Sequence, residues 1–227
     1  MNKNKRYRHE WKHEISQSDL ISVRSRMSAV GEADPHARDG RYLIRSLYFD
    51  NMSDRALREK VNGVNRREKF RIRYYNFDQS LIHLEKKSRL NGLGTKYSAS
   101  LTPEQVQRII DNDIEWMITD PQPLIRELYA KIKGQGLKPR TIVDYTREPF
   151  IYRPGNVRVT LDYHIRTGLR NVDFLDRECV TVPVPGDPII LEVKWDDFLP
   201  DIIRDAVQLP GRRVTAFSKY AQCRVYD

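Results

Sequence analysis

The chain has 227 residues, with 40 Lys and Arg against 31 Asp and Glu, a formal net charge of +9 and 39% hydrophobic residues. That is enough apolar material for one domain or two small ones, and the positive excess speaks of anionic partners (nucleic acid, a membrane surface, a phosphorylated small molecule) rather than of a fold. Two cysteines, Cys179 and Cys223, exclude a disulfide framework and a Cys-rich zinc site.

The opening MNKNKRYRHEWKHEIS carries no apolar core of a signal peptide. No apolar run reaches the ~18 residues of a spanning helix, so a cytoplasmic protein is expected. A strand is expected over 7–15, then a helix from Ser18 to about Val30 with Ser18 as N-cap. Strands follow over 42–50, 68–76, 81–88 and 94–100. Thr102-Pro103-Glu104-Gln105 is a capping box with Pro at the first helical position and starts a helix over 103–112. Leu124, Leu128 and Ile132 repeat at helical spacing, which predicts a helix over 121–133 ended by Gly134 and Gly136. Strands are expected over 141–152, 157–167 and 188–195, with a further pair over 169–174 and 177–183 around a turn. Helices over 197–208 and 216–225 flank Pro210-Gly211. No linker divides the chain, so residues 1–227 read as a single α+β, barrel-like domain of antiparallel hairpins with helices at the edges.

The polar faces of these strands are unusual. In Lys69-Phe70-Arg71-Ile72-Arg73-Tyr74 the odd positions are cations and the even ones apolar or aromatic, so three cations stand in a row. The same alternation groups His83, Glu85 and Lys87; Arg158, Thr160 and Asp162; Glu192 and Lys194; and Arg8, Glu10 and Lys12. For one strand the ordinary reading is a solvated face with surface charges. Repetition over five strands weakens that reading, because like charges facing one another across a sheet destabilise it unless something neutralises them. A closed sheet with these cations inside would need a polyanion and a metal to balance them.

At these residues the sequence resembles the polyphosphate-polymerase domain of the vacuolar transporter chaperone (VTC) family, within the triphosphate tunnel metalloenzymes. The resemblance runs in order through Arg8-His9-Glu10-Trp11-Lys12, Ser46-Leu47-Tyr48-Phe49-Asp50, Lys69 to Tyr75, Leu84-Glu85-Lys86-Lys87 and Gly94-Thr95-Lys96. It continues through Val143-Asp144-Tyr145-Thr146-Arg147, Val157 to Asp162, Leu191-Glu192-Val193-Lys194 and Phe217-Ser218-Lys219-Tyr220. It implies a closed antiparallel β-barrel, the triphosphate tunnel fold, whose cations grip ATP, triphosphate or inorganic polyphosphate. It also implies a divalent metal, Mn2+ or Mg2+, held with the help of a glutamate.

Carried over by position, Lys12, Arg71, Arg73, Lys87, Lys96, Arg147, Arg158 and Lys219 match the phosphate-gripping residues, and Glu192 the metal-associated glutamate. Strand parity adds Lys69 and Lys194 as substrate-binding residues, and Glu10 and Glu85 as further metal ligands. Ala216 stands where the family often has a second basic residue, a charge that Arg212 or Arg213 could supply. The first strand has only Glu10 and Lys12 in place of the glutamate-rich strand of the adenylate cyclase and thiamine triphosphatase branch, which favours the polymerase branch.

The expected function is therefore an ATP-dependent polyphosphate polymerase, for which a separately encoded membrane partner is compatible. Two alternatives stay open. One is a triphosphatase in which Glu10 or Glu85 orients water; the other is a non-catalytic binder of polyphosphate or nucleic acid. Nucleic acid is not expected as a partner, because the aromatics mostly occupy the strand face opposite the cations rather than a stacking platform. Tyr75, Tyr145 and Tyr163 do not fit that alternation.

Overall fold

Two-residue alternation dominates the chain, and strands form where it does. The computed structural model describes residues 8–90, 93–212 and 214–226, which leaves Arg213 and the first residue of the expected 7–15 strand outside the described residues. In chain order the elements are β1 (His9–Ile15), α1 (Gln17–Val30), β2 (Glu32–Ala33), β3 (Tyr42–Asp50), α2 (Arg55–Val61), β4 (Arg67–Tyr75), β5 (Asp78–Leu90) and β6 (Leu93–Leu101). Then come α3 (Pro103–Ile110), α4 (Pro123–Gln135), β7 (Lys138–Tyr152), β8 (Val157–Thr167), β9 (Val182–Pro183), β10 (Ile189–Trp195), α5 (Asp201–Val207) and α6 (Lys219–Gln222). No helix among the described residues is long and apolar enough to cross a membrane.

The strands form an antiparallel sheet in the order β1-β10-β8-β7-β3-β4-β5-β6, with the short β2 and β9 beside β7 and β8. Among the described residues β1 and β6 end this order and do not pair with each other, so the sheet is open and the expected closed barrel is corrected. Closure requires the two edge strands to bond with a consistent stagger. Alternation reports only which face of a strand is buried, not which strands are edges.

Contacts gather the chain into two units. The first comprises Met1–Leu43, Tyr145–Ile165 and Pro185–Phe217. Its core sets Leu20, Val23 and Met27 of α1 and Ile203, Ala206 and Val207 of α5 against Val157, Val159 and Leu161 of β8 and Leu191 and Val193 of β10. The turn into β8 requires Gly155: its φ is +72°, and a Cβ there would run into the carbonyl oxygen of Phe198. The second unit comprises Ile44–Asp144, Arg166–Val184 and Ser218–Asp227. Here Phe70, Ile72 and Tyr74 of β4 and Ile82 and Leu84 of β5 meet Val106 and Ile109 of α3 and Leu124, Ile125 and Leu128 of α4. In both units the apolar parity of the strands lies beneath helices, which leaves the charged parity on the other face.

Several local expectations shift. The N-cap of α1 is Ser16, not Ser18: its Oγ accepts from Asp19 N at 3.2 Å while Asp19 Oδ2 accepts from Ser16 N at 2.9 Å, a capping box with Asp in place of Glu. The 169–174 segment is not a strand. Asn171 Oδ1 takes Asp173 N in a local turn at 2.7 Å, and Phe174 leaves it to pack on Tyr74 with ring centroids 4.6 Å apart. Of the expected 177–183 strand only Val182–Pro183 pairs. The last two helices shorten to Asp201–Val207 and Lys219–Gln222. Helix α2 was not foreseen: it buries no residue, so it has no apolar stripe to read. Its start is held instead by Asp50 at the end of β3, whose carboxylate accepts from Ala56 N at 2.9 Å and Leu57 N at 3.1 Å.

Candidate functional site

The charged faces build a different cluster in each unit. In the second unit, register places Arg67 opposite Arg89 and Lys69 opposite Lys87 between β4 and β5, and Lys87 opposite Lys96 between β5 and β6. Three lysines thus stand in one row across three strands. One step along, Arg71 faces Glu85, and Arg73 faces His83 and Ser46. Glu85 is the acidic residue amid these cations. It accepts from Arg71 Nε at 2.7 Å, pairs with Lys96, and lies 4.0 Å from Arg73 Nη1. Burial would raise its pKa, but Arg71 and Arg73 followed by Lys96 hold it far below the carboxylate range. Arg73 also donates to Ser46 Oγ at 3.0 Å. Arg71, Arg73 and Glu85 are buried, while Lys96 is exposed.

Tyr48 belongs to this cluster although its sequence pattern did not mark it. It is buried against Tyr220 with ring centroids 5.0 Å apart, its Oη accepts from Arg71 Nη1 at 2.9 Å, and Lys69 Nζ sits 5.6 Å from its ring. Burial would raise its phenol pKa; the positive field of Arg71, Lys69 and Arg73 overcomes that and brings it to about 7. Signal for it existed in strand parity, since Ser46 and Tyr48 are two residues apart and both face β4. A tyrosinate difference signal that titrates at about pH 7 and vanishes in Tyr48→Phe is therefore expected. The ionised form is favoured by folding, so its contribution to stability is full above the ordinary tyrosine value of 10.0 and is lost as pH falls through about 7. Identical absorbance titrations of wild type and Tyr48→Phe below about pH 9 would contradict this assignment.

The first unit alternates signs instead. Lys12 faces Glu192, which faces Thr160; Glu10 faces Lys194, which faces Arg158. Glu192 is buried, 3.1 Å from Lys12 Nζ, 2.5 Å from Lys194 Nζ and 3.7 Å from Arg147 Nη2. Burial would raise its pKa, and Lys194 and Lys12 hold it well below the usual range. Lys12 responds in the opposite direction: burial would lower its pKa, but Glu192 and Glu10 raise it. Glu10 lies 3.1 Å from Lys12 and 3.4 Å from Lys194. Arg147 spends its fork on Asp162, with Nε to Oδ1 at 2.6 Å and Nη2 to Oδ2 at 2.7 Å. Arg158 Nη2 meets the buried Asp34 at 3.3 Å. Asp34, in the loop after β2, had no sequence signal at all.

The expected site residues therefore fall into two groups. Lys12, Arg147, Arg158, Lys194, Glu10 and Glu192 lie in the first unit; Lys69, Arg71, Arg73, Lys87, Lys96, Lys219 and Glu85 lie in the second. Among the three carboxylates expected at a metal, Glu10 and Glu192 share one cluster, where Lys12 and Lys194 pair with them, and Glu85 stands apart, paired with Arg71 and Lys96. Among the described residues no three His, Cys, Asp or Glu side chains are grouped to hold a metal by themselves. Two neighbouring carboxylates still suit Mg2+ or Mn2+, hard ions that commonly take one or two carboxylates and complete their shell with water and substrate phosphate. The three unplaced tyrosines are structural partners: Arg147 lies over Tyr145 at 5.5 Å, Arg73 over Tyr75 at 5.9 Å, and Tyr163 Oη donates to Glu148 at 2.5 Å.

Solved structures resemble the chain at low identity. A candidate adenylate cyclase of Bacillus halodurans is 12% identical, with 88% of this chain and 86% of that one covered and a TM-score of 0.49. The PH1819 protein of Pyrococcus horikoshii is 14% identical, with 88% and 84% covered and a TM-score of 0.44. No curated protein matches. The VTC domain family does match, over residues 7–226, nearly the whole length that carries both charged faces. The chain belongs to the VTC domain family.

Proposed function

We propose that this protein is a polyphosphate polymerase, a metal-dependent enzyme that transfers the γ-phosphoryl group of ATP to the end of an inorganic polyphosphate chain. The observation that carries the reading is the row Lys69, Lys87 and Lys96, directly opposed across β4, β5 and β6 and flanked by Arg71 and Arg73. Even with Lys96 paired to Glu85, cations outnumber carboxylates on this face, and a linear polyanion matches a linear row of cations. Arginine forks suit the non-bridging oxygens of phosphate, and lysines serve as point charges along it.

Transfer needs positioning and charge stabilisation more than covalent chemistry from the protein. A terminal oxygen of the growing chain forms a bond to the γ-phosphorus, the bond from that phosphorus to the bridging β–γ oxygen breaks, and ADP leaves with the electron pair. Lys69, Arg71, Arg73, Lys87, Lys96 and Lys219 would hold phosphate in the second unit, and Lys12, Arg158 and Lys194 in the first. Glu192, with Glu10, would hold a Mn2+ or Mg2+ ion that neutralises phosphate charge when bound. Arg147 would act by holding Asp162 and Glu192 in place. Glu85 is a poor general base, because Arg71 and Arg73 keep it ionised far below working pH, and that speaks against a hydrolase reading built on it.

The test incubates pure protein with ATP and Mn2+, with and without a short polyphosphate primer, and measures ADP, orthophosphate and stained polymer. ADP matched by polymer supports the polymerase. Orthophosphate release without polymer would make it a triphosphatase. Neither product, together with a triphosphate-induced rise in melting temperature, would make it a binding module, since a ligand bound only to the folded state stabilises it.

A further inference from the structure

Among the described residues, two adjacent donors in the first unit lack partners. Thr160 Oγ1 is buried and without a hydrogen-bond partner among the described residues, in a side chain only 2% exposed. Two residues away on the same face of β8, Arg158 Nε is likewise buried and unpartnered, while its Nη2 reaches Asp34 at 3.3 Å. Nearby carboxylates are committed elsewhere: Asp162 to Arg147, and Glu192 to Lys12, Lys194 and Arg147. A buried unsatisfied polar group is costly and calls for an explanation. An arginine Nε can only donate, so the missing partner is an acceptor, and a threonine hydroxyl beside it can donate to the same kind of group.

We propose that Thr160 is a substrate-contacting residue whose hydroxyl donates to a non-bridging phosphate oxygen of the bound chain, beside a second donation from Arg158 Nε. This rests on the reading of the protein as a polyphosphate-binding enzyme. It assigns the two donors to phosphate rather than to the metal: Glu192, directly opposite Thr160 in the register, is turned to its lysines. The proposal separates Thr160 from the residues that hold the fold. Its hydroxyl does nothing for the free protein and acts only in the complex.

The experiment compares wild type, Thr160→Val and Thr160→Ser by thermal melting and by calorimetric titration with inorganic triphosphate, with EDTA and then with Mn2+. Valine keeps the shape and removes the hydroxyl. Thr160→Val is expected to melt at or above the wild-type temperature, because it removes a buried unsatisfied group, and to bind triphosphate about 10- to 100-fold more weakly, the range for a lost hydrogen bond to a charged acceptor. Thr160→Ser should recover most of that loss. The weakening should persist in EDTA, as a direct phosphate contact requires. If wild type binds triphosphate and Thr160→Val binds it equally well, the proposal is overturned while the functional reading stands. A Thr160→Val protein that is less stable or fails to fold also overturns it, because the hydroxyl would then serve the fold. A weakening seen only with Mn2+ would assign the hydroxyl to the metal and likewise overturn it. No binding by wild type would remove the functional reading itself.

Discussion

Glu192→Gln is expected to lower polyphosphate synthesis by about 100-fold or more while triphosphate binding survives or tightens. The substitution keeps shape and one acceptor oxygen but removes the charge that would hold a divalent ion among Lys12, Lys194 and Arg147. Losing the metal's stabilisation of the transition state removes several kcal/mol, which corresponds to at least about two orders of magnitude in rate. Binding is spared because the face becomes more positive. Arg71→Ala should differ, weakening binding and turnover together, since a phosphate grip acts in ground and transition states alike. The two variants are separated by KM and kcat for ATP measured side by side with titrated triphosphate. A Glu192→Gln protein that makes polymer at the wild-type rate would refute the metal assignment.

Arg147→Ala is expected to unfold the protein far more readily than any substitution at the lysine row. Arg147 makes a two-pronged bond to Asp162, which is 0% exposed. Burial would lower the arginine's pKa, but Asp162 raises it well above its ordinary value, so the arginine keeps its charge. Removing one partner of a buried pair strands the other charge and costs about 3–5 kcal/mol. For a chain of this length that corresponds to a fall in melting temperature on the order of 10 °C. Removing both charges, in Arg147→Met with Asp162→Leu, should recover most of the loss, because no buried charge is then left uncompensated. A single Arg147→Ala variant melting within about 2 °C of wild type would show that the pair does not hold β7 to β8.

Arg147 illustrates how a position in a motif differs from a role in a site. Family position marks it as a phosphate grip and is blind to Asp162 fifteen residues later, which takes its fork. Arg45 makes the same point in the second unit. It is a buried cation on β3 whose Nε and Nη2 go to Asp144 at 3.0 and 2.9 Å, so it is a structural group that composition cannot tell from Arg71. Arg71 also meets a carboxylate, but Glu85 is shared with Arg73 and Lys96, so that cluster keeps an excess of positive charge that the Arg45–Asp144 pair does not have.

What the sequence by itself determined was the long strands, the helices with an apolar stripe, and the two faces of each strand. Period-two alternation is a local property, so β3 and β8 appear with the expected bounds, and Phe70, Ile72 and Leu84 lie under helices while Lys69, Arg71 and Arg73 lie on the other face. The family was legible for the same reason, through short strings spread in order along those strands. What only the tertiary structure decided was everything that depends on register and on partners far apart in the chain. Register set Lys69, Lys87 and Lys96 in one row and gave the first unit its alternating signs. Long-range contacts brought Asp34 to Arg158, bound Glu85 into the cations and stacked Tyr48 on Tyr220. The open edges at β1 and β6 are of the same kind, because a strand's own residues say which side is apolar but not which strand will come to bond along its edge.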